Sequence, residues 1–158
     1  MSRVTESVNV DASLAEVWDY YFEPRGWPAW VDGFASVESS DGYPERGGSL
    51  RWRSIPAGRG EVTERVLEHE PRRVHRVAFR DPASTGELRT EFAIDGRGTR
   101  VTQDFDYRLK RRGPLARLTD ALFIRSQMRG SLRRSLDRLR LEVEDVPAAE
   151  PEPRDRAT

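Results

Sequence analysis

No cysteine occurs in the 158 residues, which excludes a disulfide framework, a zinc–thiolate site, an iron–sulfur cluster and a cysteine nucleophile. Histidine is almost as scarce: only His69 and His75 are present, and Lys110 is the single lysine among 27 basic residues. No apolar run approaches the roughly 20 residues that cross a bilayer as a helix. The opening Met1-Ser2-Arg3-Val4-Thr5 lacks the hydrophobic stretch of a secretion signal, so the expected location is the cytoplasm. An excess of charge of one sign is also missing, since 27 basic side chains face 27 acidic ones. A globally basic coat for nucleic acid is thereby ruled out. What remains is a chain of one-domain length, able to bury about two-thirds of its unfolded surface around a single core.

Local patterns order that chain. Val4-Thr5-Glu6-Ser7-Val8-Asn9-Val10 alternates apolar and polar residues, the period of a strand with one buried face. Ser13-Leu14-Ala15-Glu16 is a capping box, and Leu14, Val17, Trp18 and Tyr21 follow at helical spacing. Pro24, Gly26 and Pro28 then interrupt the helix and leave Trp27 and Trp30 on an irregular or one-turn segment. From Phe34 to Leu109 apolar stretches are punctuated by Asp41-Gly42, Gly47-Gly48, Pro56-Ala57-Gly58, Glu70-Pro71, Asp81-Pro82 and Asp95-Gly96-Arg97-Gly98, which predicts six antiparallel strands. After Gly113-Pro114, the residues Leu118, Ala121, Leu122, Met128, Leu132, Leu136, Leu139 and Val143 fall on one helical stripe. A domain over residues 1–145 is expected, and the Pro-, Glu- and Arg-containing segment 146–158 has too little apolar content to fold by itself. The fold class is α+β: a seven-stranded curved antiparallel sheet wrapped around a long C-terminal helix, with one or two short helices between strands 1 and 2. A twisted sheet cannot touch a straight helix along its whole length, so a pocket is expected between them.

Register selects the residues that line it. A tight turn at Pro71-Arg72 sets Glu68 opposite His75, Val66 opposite Val77 and Glu64 opposite Phe79. The face carrying Val62, Val66, Val77 and Phe79 is then the inner one, and Glu64, Glu68 and His75 share it, because Thr63, Arg65, Arg76 and Arg80 are cheaper to solvate. Alternation adds Leu88, Thr90, Phe92, Ile94, Val101, Gln103, Phe105 and Tyr107, and Trp52 if the loop at Pro56 keeps parity. Trp52, Phe79, Phe92 and Phe105 are core aromatics that become ligand-stacking groups where a cavity exists, while Thr90, Gln103 and Tyr107 are polar handles on an apolar wall. Glu64 is either reached by cavity water or has its pKa raised, and His75 is either a cross-strand ion-pair partner of Glu68 or a proton carrier. Arg125 falls in the middle of the helical stripe, where a guanidinium needs an anion from Glu64, Glu68 or a ligand, unless it snorkels to the rim or the helix kinks.

Other signals fail. Gly96-Arg97-Gly98 lacks the third glycine and the strand-to-helix setting of a dinucleotide loop. His69 and His75, six residues apart, point to opposite faces under this register, so no metal and no cofactor are predicted. Neither histidine sits in the sequence setting of a Ser-His-acid triad. Between Arg108 and Leu141, ten Arg and one Lys face only Asp120 and Asp137, a local net charge of +9. Such a helix suits peripheral contact with a membrane surface or a merely solvated face. Nucleic acid is not expected as a partner, because Phe123 is the only aromatic interleaved with the arginines.

The segments Val10-Asp11-Ala12-Ser13 with Glu16-Val17-Trp18, Trp27-Pro28-Ala29-Trp30, Gly48-Ser49-Leu50-Arg51-Trp52, Glu70-Pro71-Arg72-Arg73, Gly98-Thr99-Arg100-Val101-Thr102 and Gly113-Pro114-Leu115 together resemble the SRPBCC superfamily. Within it they resemble the polyketide cyclase/dehydrase and lipid-transport group, over residues 3 to 143. The resemblance implies a START-like helix-grip fold with a deep hydrophobic cavity. It carries over no catalytic residue, and the fold hosts carriers, cyclases, lyases and co-chaperones alike. Three functions follow as expectations. The first is binding of a small hydrophobic ligand, lipid-, polyketide- or quinone-like, by Trp52, Glu64, His75, Phe79, Thr90, Phe92, Gln103, Phe105, Tyr107 and Arg125. The second is a cyclase or dehydratase in which Glu64 or His75 moves a proton while Arg125 or Tyr107 stabilises a developing oxyanion. The third is a membrane-docked helper for a quinone or acyl chain.

Overall fold

In the computed structural model, residues 1–110 and 117–145 are described, the side chains of 117–120 excepted; the expected tail of 146–158 lies outside the described residues. The elements are β1 (Ser2–Val10), α1 (Leu14–Tyr21), a 3₁₀ turn (Pro24–Gly26), α2 (Trp27–Trp30), β2 (Phe34–Asp41), β3 (Ser49–Ser54), β4 (Glu61–Glu70), β5 (Val74–Arg80), β6 (Ser84–Asp95), β7 (Gly98–Leu109) and α3 (Arg117–Asp145). Ser13 caps α1 as its sequence demands: its hydroxyl accepts from the Glu16 amide at 3.2 Å, and the Glu16 carboxylate accepts from the Ser13 amide at 2.9 Å. Pro28 sits in the first turn of α2, where its missing N–H costs nothing, and the helix ends after one turn as Val31 becomes extended; Trp27 and Trp30 are both buried.

The seven strands form one antiparallel sheet in the order β1-β7-β6-β5-β4-β3-β2. β7 crosses back to β1, so the chain's first strand closes beside its last. The β6–β7 hairpin turns through Gly96, whose φ of 60° is open to glycine at no steric cost. α3 lies across the sheet against β1, α1 and α2. Val17, Val62, Val101 and Leu139 are completely enclosed between the two layers. This is the α+β helix-grip architecture.

Three expectations need correction. The β4–β5 loop contains three residues rather than two, because Arg72 takes a left-handed conformation (φ 61°) and Glu70 pairs with Val74. A bulge between Val66 and Glu68 absorbs the extra residue, so Val66–Val77 and Glu64–Phe79 pair as expected while Glu68 pairs with Arg76 and His69 with His75. Glu68 therefore faces outward, in ion pairs with Arg76 at 3.3 Å and Arg89 at 2.9 Å. His69, expected on the opposite face from His75, stands beside it.

The second correction concerns α3. Its buried row is Ser135, Leu136, Leu139 and Val143, continued by the half-buried Ile124, Met128 and Leu132. Leu122 is 70% exposed, Phe123 is 63% exposed, and Arg125 is exposed rather than central to a buried stripe. A stripe reports which face of a helix is apolar, not how far its partner extends, and here the cover runs out before residue 123. The third is Ile94, which is 73% exposed because β6 overhangs the core at its end.

Candidate functional site

A cavity of about 120 Å³ lies between the sheet and the α2–α3 side. Its size follows from aromatic crowding. Trp27 and Trp30 come from the single turn of α2, and Phe34 stacks on Trp52 of β3 at 5.3 Å between ring centres. Leu50, Val77, Leu88 and Leu132 supply aliphatic wall, and Ser131 and Ser135 of α3 lie on the helical side. This volume is close to the cavity size that accommodates one benzene ring, about 150 Å³. It is well below the deep pocket the resemblance implied.

Polar groups enter this wall from four directions. The Trp52 indole donates from Nε1 to Glu64 Oε1 at 3.0 Å. Burial raises the Glu64 carboxyl above its ordinary range, partly offset by the Trp52 donor and the charge of Arg59. A raised carboxyl stabilises the fold only while protonated, so that contribution is complete below the unfolded pKa and is lost as pH rises through the folded one. Glu64→Gln is therefore expected to match the parent protein at low pH and to become progressively more stable than it above pH 4.5. Urea midpoints that differ by the same amount at pH 4 and pH 7 would contradict this.

A second group centres on Tyr21. Its hydroxyl lies 3.0 Å from Thr90 Oγ1 and accepts from Gln103 Nε2 at 3.2 Å, while its backbone carbonyl accepts from Trp27 Nε1. Burial pushes the Tyr21 phenol up to about 12, so it acts as a neutral hydroxyl. Trp30 Nε1 and Gln103 Oε1, buried polar atoms of lining residues, have no hydrogen-bond partner among the described residues, whereas Arg59 Nη2 has the Asp81 carboxylate at 2.7 Å. Such atoms are costly to leave unpaired.

The third group is His75, only 3% exposed, with Nδ1 3.0 Å from His69 Nδ1 and Nε2 3.2 Å from the Tyr43 hydroxyl. Burial, and secondarily the neighbouring His69, lowers His75 to about 3. Burial lowers His69 too and raises the Tyr43 phenol well above its ordinary value. The fourth is Arg59, on the loop between β3 and β4. Its Nε donates to the buried Asp81 carboxylate at 2.9 Å, and its guanidinium lies 4.8 Å from the centre of the Phe79 ring. Asp81 in turn accepts from the amides of Ala83 and Ser84.

At the α3 rim, Asp32 ties the α2–β2 corner to the helix. Its amide donates to Ser135 Oγ at 2.9 Å, and its carboxylate accepts from Ser131, Arg134 and Arg138. The Arg134 hydrogen bonds are the main reason its carboxyl sits below the usual range.

Of the residues singled out from sequence, Trp52, Glu64, His75, Gln103 and Phe105 line the cavity. Phe79 stacks behind Phe105 at 4.8 Å, and Tyr107 lies beyond it at 5.6 Å. Thr90 and Phe92 lie under Tyr21, and Arg125 is out on the exposed start of α3. Tyr21, Tyr43, Asp32 and Arg59 were missed. Arg59 belongs to Pro56-Ala57-Gly58-Arg59-Gly60, where no period marks direction; the paired tryptophans of α2 were the one available signal. Among the described residues no group of three or more His, Cys, Asp or Glu gathers in metal-binding geometry. No described helix is long and apolar enough to cross a membrane.

This architecture, a cavity held between a wrapped sheet and a terminal helix, agrees with comparison to known proteins. Residues 1–144 match the family described as polyketide cyclase/dehydrase and lipid transport, and the chain belongs to that family. No curated protein matches it. Among solved structures, a structural-genomics protein from Rhodobacter sphaeroides is 21% identical with a TM-score of 0.69, covering 93% of this chain and 95% of that one. Truncated norcoclaurine synthase from Thalictrum flavum is 15% identical at 0.66, covering 91% and 94%. DynU16, a protein of the dynemicin biosynthetic locus, is 17% identical at 0.66, and 90% of this chain spans 47% of that one. At these identities the likeness is one of fold.

Proposed function

We propose that the protein binds a small, largely apolar molecule with one polar end in the cavity between sheet and α3. The observation that carries this reading is the cavity's wall: aromatic and aliphatic side chains interrupted by a few buried polar ones, with Trp30 Nε1 and Gln103 Oε1 unpaired among the described residues. A ring-sized portion of the ligand occupies the hollow, and a lipid-, polyketide- or quinone-like molecule extends beyond it. Titration with p-cresol and toluene, read by the amide and indole signals of Trp30, Trp52 and Gln103, tests the reading. Saturable binding with at least tenfold preference for p-cresol is expected, and Leu132→Trp, which fills the space, should abolish it. No saturable response to either probe in the folded protein would end the proposal.

A second reading concerns location of the bound molecule's source. Leu122 and Phe123 are exposed beside Arg125, in a stretch of sequence with a net charge of +9 that Glu6 and Asp32 offset only in part through their ion pairs with Arg129, Arg133, Arg134 and Arg138, which favours contact with an anionic lipid surface. Co-sedimentation with phosphatidylglycerol vesicles should fall with added salt and be lost in a Leu122→Ser, Phe123→Ser double variant. Binding equal to that on phosphatidylcholine vesicles would refute it.

A further inference from the structure

The three-residue turn and the bulge in β4 bring His69 onto the inner face, where an unbroken line of hydrogen-bonding atoms runs from a half-buried ring to the cavity. His69 Nδ1 is 3.0 Å from His75 Nδ1, and His75 Nε2 is 3.2 Å from the Tyr43 hydroxyl. Tyr43 and His75 line the cavity, and His69 forms the outer end. Trp18 and Phe22 of α1 pack on the His69 ring at 5.2 and 5.3 Å, and Phe22 on His75 at 4.9 Å, fixing both imidazoles in place.

Two imidazole nitrogens at hydrogen-bond distance require one to carry the proton and the other to accept it. That rule leaves two arrangements for the line. In one, the Tyr43 hydroxyl donates to His75 Nε2, and His75 Nδ1–H donates to His69 Nδ1. In the other, His69 Nδ1–H donates to His75, His75 Nε2–H donates to the Tyr43 oxygen, and the Tyr43 hydrogen is released toward the cavity. We propose that Tyr43, His75 and His69 form a proton relay that delivers a proton from solvent to an oxygen of the bound molecule, whose class is an enolisable carbonyl compound. This rests on the cavity being the binding site.

The transfer balances. The second arrangement is the starting point, and the ligand enters as an enolate already deprotonated in solution. A solvent hydronium O–H bond breaks as His69 Nε2–H forms; the His69 Nδ1–H bond breaks as His75 Nδ1–H forms; His75 Nε2–H passes to the Tyr43 oxygen; and the original Tyr43 hydrogen forms the O–H bond of the enol. One proton leaves solvent, and the relay ends neutral in its other arrangement. The reverse run returns it. The burial that disfavours charge on all three groups suits a line that shifts tautomers rather than storing an ion. The ionisable groups facing it are Glu45 toward His69, and Glu64 and Tyr21 toward Tyr43.

Histidine tautomers read by long-range ¹H–¹⁵N spectra of the whole chain test the relay. In the free protein the first arrangement should hold, with His75 protonated at Nδ1 and His69 bare there, and a ¹⁵N–¹⁵N coupling should cross the hydrogen bond. Cyclohexanone, a ring with a carbonyl acceptor, should exchange the protonated and bare nitrogens of both rings. Tyr43→Phe should bind cyclohexanone without that exchange, and His69→Gln should remove the coupling. Bound cyclohexanone with unchanged tautomers overturns the relay and leaves the binding site standing. Absence of cyclohexanone binding counts against the binding site, and the free-protein coupling then decides the relay: equal protonation at both Nδ1 atoms overturns it.

Discussion

Acidification from pH 6.5 to pH 5 is expected to cost the protein about 2 kcal/mol of stability through His75 alone. The imidazole is 3% exposed, and burial holds its pKa near 3 instead of 6.5. A depressed base favours folding while it is neutral. Its contribution is therefore complete above the unfolded pKa of 6.5 and is lost as pH falls toward 3, because the unfolded chain takes up the proton first. His69 acts in the same direction, and Glu64, raised rather than lowered, acts in the opposite one. Urea midpoints at pH 6.5, 5.5 and 5 for the parent and for His75→Gln separate these contributions. The parent's decline should be markedly steeper, and parallel curves would show that His75 can be protonated in place.

Asp81→Ala is expected to cost about 2–3 kcal/mol, because it leaves the Ala83 and Ser84 donors without their acceptor and the half-buried Arg59 without its counter-charge. Asp81 is buried at the β5–β6 corner, where its carboxylate accepts from two backbone amides and holds Arg59 at 2.7 Å. Without it, the guanidinium over Phe79 and Phe105 loses its counter-charge, and the Ser84 amide loses its acceptor. Adding Arg59→Met to Asp81→Ala should restore at least about 1 kcal/mol, since an unpaired cation is replaced by a side chain suited to two aromatic faces. Urea denaturation of the two variants provides the comparison. A single variant within 1 kcal/mol of the parent would mean that Arg59 finds water instead.

The strand count, the capped first helix and the Asp95–Gly98 hairpin were legible because each rests on chemistry confined to a few neighbouring residues. So were the inner positions of Glu64, Val66, Val77 and Phe79, which alternation alone determines. The pairing beyond Val66 was not legible. It depends on Arg72 adopting a positive φ, which an arginine does not advertise, and on a compensating bulge two residues before His69. The exposure of Arg125 was hidden for another reason: amphipathic spacing continues into a stretch of α3 that the described residues cover only at Ile124 and Met128. The cavity's composition was half legible. Strand periodicity delivered Trp52, Glu64, His75, Gln103 and Phe105, whereas Tyr43, Arg59 and Asp32 stand on loops where direction is set by turn geometry.

Asp32 has a mechanical consequence. Its amide and carboxylate together engage four side chains within two turns of α3, from Ser131 to Ser135, Arg134 and Arg138. The single turn carrying Trp27 and Trp30 ends just before it, so those indoles and the middle of the helix are coupled as one rigid block. On that flank the hollow cannot widen by the swing of a single side chain; enlargement there requires the block to lift away from the sheet as a unit.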